Sequence, residues 1–138
     1  MRRTVLYVET DSQDLPLVKW ALASLATQIL WAADGEAALE IAAAHHPDLI
    51  LVDARLTDME ACDLIYRLRD LGQQAQHAAL AEAPILLLTA NLLGRDAERA
   101  AAAGCTGALA KPINVRELWQ QVQALLPARG RSQFRLGA

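Results

Sequence analysis

The sequence predicts an α/β domain: a doubly wound parallel sheet of five strands with helices on both faces. Three observations carry this. Five short apolar runs alternate strictly with helix-length segments, the pattern of successive strand–crossover–strand units. The runs Leu49–Val52 and Ile85–Leu88 are apolar without a break, as strands covered on both faces must be. No repeat or linker interrupts the alternation, and 138 residues suit one domain.

The elements follow in order. Val5–Val8 is a buried strand closed by Glu9-Thr10-Asp11-Ser12. Pro16 suits the first turn of a helix whose Leu17, Val18, Ala21, Leu22 and Leu25 share one face. Gln28–Trp31 is a weaker second strand. Asp34-Gly35 opens an alanine-rich helix carrying Leu39 and Ile41, which Pro47 closes. Leu49–Val52 ends in Asp53, and Leu64, Ile65 and Leu68 mark a third helix. Residues 72–83 read either as a prolonged helix or as a polar loop. Ile85–Leu88 ends in Thr89, and a helix from about Arg95 to Ala103 stops at Gly104. Ala108–Ala110 is a short fifth strand leading into Lys111-Pro112. Asn114 and Glu117 have cap-and-N3 spacing for a last helix carrying Val115, Leu118, Trp119, Val122, Leu125 and Leu126. The domain is expected over 1–127, and the arginine-bearing stretch 128–138 reads as a disordered tail.

Composition narrows the function. A net charge of −3 gives no footprint for nucleic acid. The first apolar run is too short for a signal peptide or a bilayer span, so a cytoplasmic protein without membrane contact is expected. Cys62 and Cys105 lie far apart and read as free, semi-buried thiols. His45 and His46 suit a helix C-terminus, and His77 is expected to face solvent.

Four of the five predicted strands end in polar residues: Glu9-Thr10-Asp11, Asp53, Thr89 and Lys111. Ligands of an open parallel sheet bind beyond these carboxyl ends, where the strand order reverses. With the order 2-1-3-4-5, strands one and three flank that point and bring Glu9 beside Asp53. Two close carboxylates call for a cation, and Mg²⁺, which prefers oxygen ligands and bridges to phosphate, fits. A lysine ammonium and a threonine hydroxyl complete the parts for an aspartyl-phosphate. Each residue alone is as well a loop charge or a cap; their common edge makes the case.

These residues resemble the receiver domains of response regulators, over about residues 4–126. Pro47–Asp53 is similar to the segment leading into the family's phosphorylated aspartate, and Ala32–Leu39 to its second loop and helix. Leu88-Thr89-Ala90 and Ala108–Pro112 resemble its switch hydroxyl and its Lys-Pro. The resemblance implies the flavodoxin-like fold with the order 2-1-3-4-5. It implies Asp53 as phosphoacceptor and Mg²⁺ held by Glu9 and Asp53. It also implies Lys111 on the phosphoryl group, and Thr89 as the switch toward the fourth helix, fifth strand and fifth helix, where Ala108 and Trp119 mark a partner surface. A histidine kinase or phosphotransfer protein is the implied donor and an unspecified protein the target. Catalysis is limited to the domain's own phosphorylation and dephosphorylation.

The sequence departs from the family at four positions. Thr10 replaces the second acidic residue, which weakens metal binding unless Thr10 itself or Asp11, through a bend of the loop, serves. Ala108 replaces the usual aromatic ring of strand five. Thr57 stands where proline is usual, and Ala61 where glycine is usual. A phosphate-independent interaction module is therefore the alternative. An unrelated flavodoxin-like protein or enzyme ranks last, because no glycine-rich phosphate loop follows strand one. The Met1 start and short tail favour a single-domain regulator over a receiver cut from a longer kinase.

Overall fold

The computed structural model describes residues 2–126. Five parallel strands lie in the order β2-β1-β3-β4-β5: β1 (Arg3–Val8), β2 (Thr27–Ala32), β3 (Leu49–Asp53), β4 (Ile85–Thr89) and β5 (Gly107–Ala110). The register aligns Val8 with Val52, Asp53 with Leu88, and Thr89 with Ala110, so all the polar strand ends reach one edge of the sheet. β3 and β4 are buried at every residue, which accounts for their unbroken apolar runs. The boundary expected at residue 127 and the tail 128–138 lie outside the described residues.

Helices cover both faces. On one side α2 (Gly35–His45), α3 (Ala61–Leu71) and α4 (Arg95–Ala103) bury Ala38, Leu64, Ile65, Leu68 and Ala100 against Leu6, Ile50, Val52 and Leu87. On the other, α1 (Leu15–Leu22) and α5 (Val115–Leu125) bury Val18, Leu22, Leu118 and Val122 against Val5, Tyr7, Leu51 and Leu88. The alternation of side chains along each strand divides the two cores. Local signals set the ends. Asp34 Oδ1 accepts from Ala37 N, and Asn114 Oδ1 accepts from Glu117 N. Gly104 stops α4 at φ 113°, a left-handed conformation that glycine adopts without strain.

The ambiguous stretch 72–83 is neither of the two expected forms. It holds a 3₁₀ segment, Ala75–Ala81, bent at His77, which lowers Leu80 into the core. Its anchor is Arg69 of α3. The guanidinium donates to the carbonyls of Leu80 (3.0 Å), Ala83 (2.7 Å) and Gly104 (2.8 and 3.1 Å), tying the α3–β4 and α4–β5 connections to one helix. His45 and His46 end α2 as expected, but His77 does not simply face solvent: it is half-buried, with Nδ1 2.9 Å from His46 Nε2. Cys62 and Cys105 are free and half-buried, and burial pushes the Cys105 thiol up. Among the described residues no helix is long and apolar enough to cross a membrane.

Arg69→Met strands three carbonyl acceptors, and we expect it to cost about 2–3 kcal/mol in urea unfolding. Arg67→Met, which removes only an exposed pair with Glu36, serves as the control and should stay within about 0.5 kcal/mol.

Candidate functional site

Among the described residues the buried polar or charged side chains are Glu9, Asp53 and Thr89, and all three stand at strand ends on the same edge. Lys111, just past β5, reaches back between them. Its Nζ lies 2.6 Å from Asp53 Oδ2, 3.7 Å from Glu9 Oε2 and 3.7 Å from Asp14 Oδ2. Asp53 Oδ1 accepts from Arg55 N at 2.9 Å, and Glu9 Oε1 accepts from Asp14 N at 3.0 Å. The Trp31 indole donates to the Glu9 carbonyl at 2.8 Å. A cavity of about 410 Å³ opens over Asp53, Arg55, Thr89, Asn91, Asp96 and Lys111.

The electrostatics reflect an excess of buried negative charge. Burial pushes the Glu9 carboxyl above its usual range, against the opposing bond from Asp14 N. Burial alone would lower the Lys111 ammonium, but the bond to Asp53 and the charges of Asp53, Asp14 and Glu9 outweigh it and hold Lys111 above its usual value. The Tyr7 phenol, behind Glu9, is pushed far up by burial and then by Glu9.

The structure brings Glu9, Asp53, Thr89 and Lys111 together. Thr10 lies beside the Asp53 loop without a carboxylate to offer, and Asp11 turns away. Thr10 Oγ1 donates to the Arg55 carbonyl at 3.4 Å, and exposed Asp11 accepts from Gln13 N at 3.1 Å, turned onto its own loop. The third carboxylate at Lys111 is Asp14, which sequence reasoning passed over. Its one signal was position: an aspartate at the mouth of the Pro16 helix, a few residues beyond a strand end. Thr89 Oγ1 accepts from Asn91 N at 3.2 Å, at the start of the β4–α4 connection. Ala108 and Trp119 make different contacts. Ala108 packs on the α2–α4 side of the sheet, whereas Trp119, 37% exposed, reaches across to α1, where its indole donates to Ser24 Oγ at 2.9 Å.

Two departures prove harmless to the backbone. Ala61 is the first residue of α3 and has no positive φ, so glycine is not needed there. The loop after Asp53 lacks proline at Thr57, but Asp58 anchors it: Oδ1 and Oδ2 accept from Gly35 N (2.9 Å) and Glu36 N (3.0 Å) at the start of α2.

A five-stranded sheet wound in this order, with two carboxylates, a hydroxyl and a lysine at its switch point, defines a receiver. Comparison with known proteins agrees. The response regulator receiver domain matches residues 5–123, and the chain belongs to that family. The polar-differentiation response regulator DivK of Brucella ovis is 27% identical over 126 residues, covering 91% of this chain and 98% of DivK. Chemotaxis response regulator CheY4 of Vibrio cholerae superposes with a TM-score of 0.79 at 28% identity, covering 91% of this chain and 100% of CheY4. The receiver domain of sensor histidine kinase PA1611 from Pseudomonas aeruginosa, solved with a magnesium ion in its active-site cleft, gives 0.76 at 30% identity, covering 91% and 98%.

The Asp58 anchor has a pH signature. The bond from Gly35 N holds its carboxyl below the usual 3.8. A folded value below the unfolded one contributes stability above pH 3.8 that is lost as pH falls through the folded value. Asp58→Ala should therefore lower the neutral-pH melting temperature by roughly 3–5 °C, with the gap closing in acid melts below that range.

Proposed function

We propose that this receiver accepts a phosphoryl group on Asp53 from a histidine kinase or a histidine phosphotransfer protein, and signals through protein contacts. The observation that carries the reading is Lys111 Nζ at 2.6 Å from Asp53 Oδ2, at the floor of an open cavity. An Asp53 carboxylate oxygen attacks phosphorus as the phosphorus–nitrogen bond to the donor imidazole breaks. The imidazole nitrogen keeps the bonding pair and takes up a proton. Lys111 already holds the attacking group and can follow the negative charge onto the phosphoryl oxygens.

The donor set suits Mg²⁺, because Glu9 and Asp53 present hard carboxylate oxygens that a single ammonium does not balance. When bound, Mg²⁺ would supply positive charge against the negative charge of the transferring phosphoryl group. Thr89 lies on the same cavity wall, with its hydroxyl parked on Asn91 N. Rotation of that hydroxyl onto a phosphoryl oxygen releases Asn91 N and loosens the β4–α4 connection. Ala108 has no ring to move, so the change is read through that connection.

Incubation with Mg²⁺ and acetyl phosphate should add the mass of one phosphoryl group. Asp53→Asn or removal of Mg²⁺ should abolish the gain, and Lys111→Met should slow it about a hundredfold or more. No gain from acetyl phosphate or from phosphohistidine donor proteins would sink the reading.

A further inference from the structure

We propose that Asp14, and neither Thr10 nor Asp11, supplies the carboxylate missing from position 10 and acts with Glu9 and Asp53 in holding the divalent cation. The inference rests on the metal-assisted reading of Asp53 given above.

Geometry points to Asp14 first. Its Oδ2 stands as near the Lys111 ammonium as Glu9 Oε2 does, both at 3.7 Å, so three carboxylates converge on one cation. Their formal charges leave an excess of two negative charges, which a divalent ion cancels. Of the two residues after Glu9, Thr10 stands against the Asp53 loop with only a hydroxyl, and Asp11 is turned onto Gln13 N.

The conformation of Asp14 gives a second reason. It is the N-cap residue of α1, a position at which an aspartate usually turns its carboxylate onto the helix N–H groups. Here the side chain makes no capping bond and turns to the site instead. Its backbone N–H donates to Glu9 Oε1, which fixes the two carboxylates relative to each other. The loop reaches this arrangement through Ser12 at φ 55°, which folds the chain back before Leu15. The Asp14 side chain is 32% exposed, so an ion enters from solvent on its side while Glu9 and Asp53 form the floor.

Tyr7 is an independent sign of an unfinished site. It is wholly buried, and its Oη is a buried side-chain atom without a hydrogen-bond partner of good geometry. A buried phenol two residues from Glu9 and short of a well-formed bond marks a cluster whose polar contacts the protein alone does not close.

The test is calorimetric titration of the full chain with MgCl₂. Asp14→Asn should weaken Mg²⁺ affinity about tenfold or more, and Asp11→Asn should leave it within about twofold. Thr10→Asp in the Asp14→Asn background should restore most of it. In the unsubstituted chain, where folding is not in question, the Asp14 carboxyl ¹³C resonance should shift with the same midpoint as that of Asp53. Unchanged affinity in Asp14→Asn beside a weakened Glu9→Gln, or a static Asp14 resonance, would overturn the assignment and leave the metal reading standing. No Mg²⁺ binding by the unsubstituted chain up to about 50 mM would overturn both, since exchangeable Mg²⁺ sites of this kind saturate well below that.

Discussion

The contact between Lys111 and Asp53 joins residues 58 positions apart in sequence and depends on nearly every feature of the sheet. It needs β3 and β5 to run parallel with β4 between them, and it needs the register that sets Asp53 beside Leu88 and Thr89 beside Ala110. A shift of one residue in either ladder would turn Asp53 or the approach to Lys111 toward the opposite face. The same ammonium makes it tolerable to bury Glu9 and Asp53 together, because unpaired carboxylates at this depth would take up protons. Fold and site are thus one constraint: the two apolar cores fix the register, and the register sets the charges against one another.

Much of this was legible because it rests on local signals. Unbroken apolar runs gave the central strands, and α4 falls where the alanine-rich pattern and Gly104 placed it. Glu9, Asp53, Thr89 and Lys111 were legible together because a parallel sheet brings strand ends to one edge. What escaped the sequence depends on partners far away in the chain. Arg69 looks like any charge on a helix until three carbonyls from two other connections surround it. Asp14 looks like a helix cap, and nothing in its neighbours tells that the cap bond is forgone. Ala108 and Trp119 are likewise joined only by the sheet edge: Ala108 lies on edge strand β5 and Trp119 on α5, bonded to Ser24.

The departures from the family pattern fall into two groups. Thr57 and Ala61 are absorbed by the backbone, through the Asp58 anchor and an ordinary helical φ. Thr10 and Ala108 are not absorbed in place. The hydroxyl at position 10 joins two loops where a carboxylate would have faced the site, and the side chain at 108 is small where the family carries a ring. The first group bears on stability alone. The second bears on the charge and packing around the site.

Trp31 gives the molecule an optical property. Of its tryptophans, Trp20 is largely exposed on α1 and Trp119 is bonded to Ser24, while the indole of Trp31 is bonded to the main chain of Glu9 itself. An indole's emission responds to the polarity and charge around its ring and to the strength of its N–H bond. Edge strand β2 thus places a natural chromophore on the main chain of a site residue. Events at Glu9 acquire a colour without any label being attached.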